Sequence, residues 1–252
     1  MASESEALAG RVALVTGAGR GIGHAVARRL AASGAEVVLV ARSAGEIEKT
    51  ARAIIEEGGA ARTVVADLGR RADVERVLAA VEGLGIGILV NNAATVDPLL
   101  PTTGLDAEAL DAALALNVVA PALLGARLLP AMIENGWGRI VNVSSGVVST
   151  PAGMVGANAY VTTKAALEGH TLNLAAELAG TGVTANVFRP GLVDTGMQES
   201  IRSRDPEEIG AGLHGWFVSI HEQGILATPE QAAAGLVDRL DSDATGEIWE
   251  PR

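Results

Sequence analysis

Tyr160-Val161-Thr162-Thr163-Lys164 sets a phenol and an ammonium four residues apart, which on a helix puts both on one face. Tyr160 is the only tyrosine of the chain, and Lys164 is one of two lysines, the other being Lys49. A free phenol titrates at about pH 10, and a neighbouring cation lowers that value toward the range of a working general acid–base. Upstream, Arg139-Ile140-Val141-Asn142-Val143-Ser144-Ser145 reads as a buried strand ending in two hydroxyls. Either serine could donate to a carbonyl oxygen and hold it beside the phenol. No His–Asp partner accompanies these serines in recognisable context, and the G-x-S-x-G elbow is absent, so a nucleophilic hydrolase is not expected. Asn117, within Ala115-Leu116-Asn117-Val118-Val119, is an amide inside a long apolar helix, which taken alone reads as a satisfied core hydrogen bond.

A second cluster is Thr16-Gly17-Ala18-Gly19-Arg20-Gly21-Ile22-Gly23, between a first strand and a first helix. Backbone without Cβ makes a tight turn and lets a diphosphate approach the helix N-terminus, whose N–H groups and dipole face the negative charge. The second strand ends Val38-Leu39-Val40-Ala41-Arg42. An NAD site usually places a carboxylate there for the ribose 2′-hydroxyl. Here Arg42 and Arg20 offer two cations and no anion, which suits a 2′-phosphate, so NADP(H) is preferred over NAD(H). Asp67, in Val64-Val65-Ala66-Asp67-Leu68, is placed to accept from an adenine amino group. Asn91-Asn92-Ala93-Ala94 closes the fourth strand, where small residues let backbone lie along a ribose. The expected cofactor contacts are Gly17, Gly19, Arg20, Gly21, Ile22, Gly23, Arg42, Asp67, Leu68, Asn91 and Ala93, with Tyr160 and Lys164.

The elements that must position these groups alternate along the whole chain. Val12–Thr16, Glu36–Ala41, Ala61–Ala66, Ile86–Val90, Gly138–Val143 and Val183–Phe188 read as continuous apolar strands buried on both faces. His24–Ala32, Gly45–Glu57, Ala72–Glu82, Leu105–Leu129, Tyr160–Ala179 and Pro229–Leu240 carry helical period between and after them. The expected fold is α/β, a single-domain, doubly wound Rossmann-type sheet of about seven parallel strands with helices on both faces, spanning 1–252. Ser43 with Glu46 predicts a capping box, and Thr228-Pro229-Glu230 a capped start. Residues 196–227 break the rhythm and read as a substrate-binding lid, in which Trp216, Phe217 and Met197, together with Met154, are candidates to line a substrate pocket.

The 252 residues carry 19 Lys+Arg against 30 Asp+Glu, a net charge of −11, which argues against nucleic acid or an anionic membrane as partner. No cysteine is present, which removes disulfides, thiolate metal sites and a cysteine nucleophile, and no metal is expected. The start, MASESEALAG, has no basic region before an apolar one, and no uninterrupted apolar run of membrane-spanning length is evident. A cytoplasmic protein is expected.

Together, Thr16–Gly23, Asp67, Asn91–Ala94, Asn117, Ser145, Tyr160–Lys164 and Arg189-Pro190-Gly191-Leu192-Val193-Asp194-Thr195 resemble the short-chain dehydrogenase/reductase superfamily over essentially the whole chain. The resemblance implies Tyr160 as proton donor, Lys164 as its electrostatic helper and ribose ligand, and Ser145 rather than Ser144 as clamp of the substrate oxygen. It implies that Asn117 holds a water linking Lys164 to solvent, and that Pro190, Gly191, Val193 and Thr195 border a nicotinamide. It also implies a homodimer or homotetramer. The end of the chain, with Val193–Gln198, Ile201-Arg202-Ser203 and Gln223–Glu230, is similar to the branch of sepiapterin and benzil reductases. The expected activity is NADPH-dependent reduction of a small ketone or dicarbonyl. The alternatives are a 3-oxoacyl-[acyl-carrier-protein] reductase or other secondary-alcohol dehydrogenase and, more remotely, a non-catalytic NADPH sensor.

Overall fold

Strand and helix alternate as β1 (Val12–Thr16), α1 (Gly21–Ala32), β2 (Glu36–Ala41), α2 (Ala44–Glu56), β3 (Ala60–Val65), α3 (Arg71–Ala80), β4 (Ile86–Asn91), α4 (Ala107–Leu114), a π turn (Ala115–Val119) and α5 (Ala120–Glu134). There follow β5 (Gly138–Val143), α6 (Asn158–Glu177), β6 (Val183–Phe188), α7 (Gly196–Arg202), α8 (Pro206–Ile209), α9 (Ala211–Glu222), α10 (Pro229–Val237) and β7 (Ile248–Trp249). The structure, a computed structural model, describes residues 8–251. Most of the acidic start read as lacking a secretory signal thus lies outside the described residues.

The strands form one seven-stranded sheet in the order β3-β2-β1-β4-β5-β6-β7, every pair parallel. Their period of two divides the core between the sheet's faces. Ala13, Val15, Val37 and Leu39 meet α1, α2 and α10 on one side. Leu14, Val38, Leu89 and Ile140 meet α3, α5 and α6 on the other. Coverage of both faces explains the near-continuous burial of β1, β2, β4, β5 and β6. β3 departs from the expectation of burial on both faces. It is an edge strand, its side chains are mostly exposed, and Arg62 pairs there with Glu36 of β2.

The single helix expected over Leu105–Leu129 is two helices joined by the π turn, and it continues to Glu134. Pro121 has no N–H to return to the carbonyl of Asn117, four residues back, so a wider turn is favoured there. Against the expectation of no such segment, 107–134 as a whole is long and apolar enough to cross a membrane by length and composition. In this fold it packs on α3, α6, β4 and β5 as part of the helical layer.

Two caps bear on the site. Ser43 Oγ accepts from the Glu46 N–H at 3.3 Å, but the Glu46 carboxylate turns to Arg20 instead of completing the expected box. Thr228 does form one: its Oγ1 accepts from the Gln231 N–H, and the Gln231 side chain accepts from the Thr228 N–H at 2.8 Å. α10 packs along α1, the helix that carries the glycine turn, so this cap helps hold the turn's support. Replacing Thr228 by Ala removes the cap's hydroxyl and should lower stability by about 1 kcal/mol, read as a lower urea midpoint at unchanged slope.

Candidate functional site

The strand order reverses between β1 and β4, and a crevice opens at their carboxyl ends. Its floor is hydrogen-bonded across the gap. Thr16 Oγ1 accepts from the N–H groups of Asn92 and Ala93, both at 3.0 Å, and the Asn92 amide donates to the carbonyls of Thr16 and Gly17 at 3.0 and 3.3 Å. The glycines fit this closeness. Gly17 has φ +66°, and a Cβ on Gly23 would stand 2.3 Å from the Gly17 carbonyl oxygen and 2.5 Å from the Asn92 amide nitrogen. Only hydrogen at position 23 lets α1 start so near β1.

A cavity of about 960 Å³ rises from this floor. It is lined by Gly17, Gly19, Arg20, Gly21, Ile22, Arg42, Leu68, Ala93, Ser145, Tyr160, Lys164, Pro190, Gly191, Val193 and Thr195 from the expected set. Gly23, Asp67, Asn91 and Asn117 stand behind the lining. Asp67 lies between the lining residues Ala66 and Leu68, and its Oδ1 accepts from the Gly69 N–H at 3.1 Å in a turn. The Asn91 side chain points into the sheet, donating to Asn142 Oδ1 at 2.8 Å. Its neighbour Asn92 is the one that reaches the crevice, because successive strand residues face opposite sides. Thr16 and Asn92 therefore belong to the site's frame, and the strand alternation was the signal for Asn92.

At the end of β2, Arg42 lines the cavity and no carboxylate stands at Ala41. The expectation of no anion nearby is corrected by Glu46, which lines the same end and lies 4.0 Å from Arg20. Its spacing, four residues beyond Arg42 at a helix start, was the available signal. The Arg20 guanidinium spans from Glu46 to Gly196, where an added Cβ would be 3.3 Å from its Nη1. One cation thus reaches from the glycine turn to the first residue of α7.

α6 presents Tyr160 and Lys164 from one face, both buried. Lys164 Nζ donates to the Val143 carbonyl at 2.7 Å and lies 5.8 Å from the Tyr160 ring centre. Burial lowers the Lys164 pKa to about 8, against an opposing pull from Glu168. Tyr160 moves opposite to the expectation. Its pKa is raised, because loss of solvent around the phenolate outweighs the downward effect of the Ser145 hydroxyl beside it. A phenol that keeps its proton suits donation to an oxygen. Of the two serines, Ser144 is committed to Glu168 Oε1 at 2.7 Å, while Ser145 caps a short turn and faces the phenol.

Asn117 sits in the π turn with its amide fully engaged by protein groups. Its Oδ1 accepts from the Thr95 N–H, and its Nδ2 donates to the Thr95 carbonyl and to Thr163 Oγ1. It clamps the loop after β4 to α6 one residue before Lys164, so its link to the amine runs through Thr163 and the helix. The segment 196–227 folds as α7, α8 and α9. Both its ends are tied together by a bridge between Val193 and Ala227, with the Asp194 N–H donating to the Ala227 carbonyl at 2.9 Å. Phe217, Ile201, Ile209 and Leu213 form a separate small core with Tyr160 and Val147. Met154, Met197, Trp216 and Phe217 all line the cavity, as expected of substrate contacts. Trp216 and Phe217 are packed edge to face, ring centres 4.8 Å apart.

The family model described as short chain dehydrogenase matches residues 11–206. Human dehydrogenase/reductase SDR family member 4 is 38% identical over 253 residues, covering 92% of this chain and 90% of that protein. The 3-oxoacyl-[acyl-carrier-protein] reductase FabG of Aquifex aeolicus is 37% identical, covering 96% and 95%. Among solved structures, L-sorbose reductase from Gluconobacter frateurii, complexed with NADPH and L-sorbose, superposes with a TM-score of 0.86 at 28% identity, covering 98% of this chain and 96% of that one. The parallel sheet, the crevice at its reversal, the family match and these full-length likenesses agree: the chain belongs to the short-chain dehydrogenase/reductase family and is an oxidoreductase.

Proposed function

We propose that the chain is an NADP(H)-dependent carbonyl reductase acting on a small, neutral, largely apolar ketone or dicarbonyl. The observation that carries this reading is the division of charge within one cavity. Arg20, Arg42 and Glu46 lie at the glycine-turn end, Lys164 lies beneath Tyr160, and no other charged side chain lines the space among the described residues. The wall beyond Tyr160 is built from Val96, Met154, Met197, Ile201, Trp216 and Phe217. Three of the chain's six aromatic residues, Tyr160, Trp216 and Phe217, meet here, although aromatics are only 2% of the composition. A carboxylated or phosphorylated substrate would have no counter-charge on that wall.

The residues present fit the cofactor. Cβ-free backbone opens the helix N-terminus to a diphosphate, and Arg42 without a carboxylate at Ala41 suits a 2′-phosphate. NADPH supplies the hydride for the carbonyl carbon when bound. Ser145 Oγ holds the carbonyl oxygen, and Tyr160 donates the proton that completes the alcohol. Lys164, fixed to the Val143 carbonyl, places positive charge under the phenol and favours the tyrosinate left after transfer. The likeness to L-sorbose reductase, a structure complexed with NADPH and L-sorbose, supports the choice of NADPH and of a carbonyl substrate.

The likeness to FabG raises reduction of a carrier-bound 3-oxoacyl group as a second reading. Against it, the lid 196–227 has five acidic residues and two arginines. Both arginines are already paired, Arg202 with Asp194 and Arg204 with Asp97. An acidic carrier would approach an acidic rim.

Tyr160→Phe should reduce turnover of a diketone by at least about a hundredfold while NADPH titration by fluorescence gives an affinity within about twofold of the parent. Retained turnover would remove the proton-donor role. Arg42→Asp should invert the NADPH/NADH ratio of kcat/KM, and an unchanged ratio would remove Arg42 from the 2′ site. The Lys164 ammonium is present below about pH 8 and lost above it, so kcat for reduction should fall through that region as pH rises. A profile flat from pH 7 to 9.5 would contradict a role for the charged amine.

A further inference from the structure

Behind the serine-bearing end of β5 lies a buried ionic cluster that the chemistry above does not use. Glu168 stands one turn beyond Lys164 on α6 and is 5% exposed. It takes both forks of Arg189, Nε to Oε1 at 2.8 Å and Nη2 to Oε2 at 2.7 Å. The same Oε1 accepts from Ser144 Oγ at 2.7 Å. Arg189, directly after β6, continues through Nη1 to Ser149 Oγ and to Glu250 Oε1. One carboxylate therefore joins α6, the end of β5, the end of β6, the loop at Ser149 and the chain's last residues. Fixing the fold alone would not require this, since burying two charges is costly and a well-packed apolar pair often holds as well.

We propose that Glu168 is a positioning residue of the reaction, bracing Ser145 through Ser144 and serving as counter-charge to the buried Lys164 ammonium. The inference rests on the carbonyl reduction proposed above. Ser144 is the residue before Ser145, so a shift of the carboxylate moves the substrate clamp. The groups facing Lys164 are the Val143 carbonyl of β5 and, on its own helix, the Tyr160 phenol and Glu168; the π turn brings neutral Asn117, through Thr163. Glu168 opposes the lowering of the amine caused by burial, and the Arg189 cation paired to Glu168 offsets part of that pull. Glu168 has Lys164 one turn back on α6 and is bonded by Ser144 and Arg189, the last shared with Glu250.

The chain's two lysines make a direct reading possible in the ligand-free protein, because lysine labelled with ¹³C at Cε gives one signal each for Lys49 and Lys164. Glu168→Gln and Arg189→Gln both break the ion pair and should lower the melting temperature together. They should move the Lys164 midpoint in opposite directions, down by about one pH unit for Glu168→Gln and upward for Arg189→Gln. The alkaline fall of kcat should follow each midpoint, and kcat in Glu168→Gln should drop about tenfold or more with little change in the KM for NADPH. Midpoints that stay together, or move the same way, would reduce Glu168 to a structural partner and overturn the inference. Where either single variant fails to fold, the double variant Glu168→Gln/Arg189→Gln pairs amide with amide; a midpoint below the parent's supports the role, and one equal to it overturns it. Turnover retained by Tyr160→Phe would instead bring down the reduction chemistry itself, and this inference with it. An inactive Tyr160→Phe with unmoved Lys164 midpoints sinks only the part assigned to Glu168.

Discussion

A parallel sheet wound outward from β1 in both directions must part its connections between β1 and β4, and every group discussed above depends on that parting. The loop after β1 enters α1 on one face while the loop after β4 leads toward α4 and α5 on the other, so backbone recedes from the carboxyl edge and a crevice is left. Thr16 and Asn92 hold its two lips at fixed separation through four hydrogen bonds. Because all strands point the same way, the ends of β1, β2, β4, β5 and β6 deliver Gly17, Arg42, Asn92, Ser145 and Pro190 to this one rim. The geometry of the site is therefore a property of strand direction and order before it is a property of any catalytic side chain.

Electrostatics then divides the rim. At the glycine turn the charges stand in solvent, with the Arg20 side chain 66% exposed, so they can meet a phosphate with little desolvation. Lys164 and Tyr160 are the reverse. Burial lowers the amine and raises the phenol, so the two groups are driven toward their neutral forms by the same loss of water. Keeping the amine charged near neutral pH needs compensation from its surroundings, and the Val143 carbonyl and the Glu168 carboxylate are the groups positioned to give it. The ammonium and the acidic phenol thus coexist under neutral conditions, which is the pairing that proton donation to a carbonyl oxygen calls for.

The repeat of apolar runs and the glycine spacing made the sheet, its helical layers and the crevice legible in the sequence, since both signals arise from local geometry that tertiary context reinforces. What stayed hidden is what two distant segments decide together. The exposure of β3 follows from its place at the sheet edge; Arg62 and Thr63 are its sequence signal, whereas the edge position itself is settled by the order of all seven strands. Spacing does not show that the Asp67 carboxylate accepts from the Gly69 N–H, or that the Asn91 side chain pairs with Asn142 across the sheet. The direction of the Tyr160 shift was misjudged for a related reason. Sequence spacing shows the cation four residues away, whereas the burial that raises the phenol comes from 201–220 and the loop after β5. Glu168 and Arg189, 21 residues apart, carried no spacing signal at all.

The two halves of the cavity differ in how they tolerate change, and that difference follows from what builds them. Where the glycine turn meets β4 the crevice is made of backbone: a Cβ at Gly17 or Gly23 would stand within 2.9 Å of atoms that hold the lips together, so the surface at those two positions cannot be varied without moving β1 against β4. The wall beyond Tyr160 carries side chains of α7 and α9, helices that rest on their own small core and are tied at Val193 and Ala227 by backbone alone. Substitutions at Met197 or Trp216 reshape that wall while the sheet, the glycine turn and the Lys164 support remain in place, since none of these uses the side chains of 196–227 for its hydrogen bonds. A fold arranged this way can vary that wall while the hydrogen-bonded floor between β1 and β4 stays fixed.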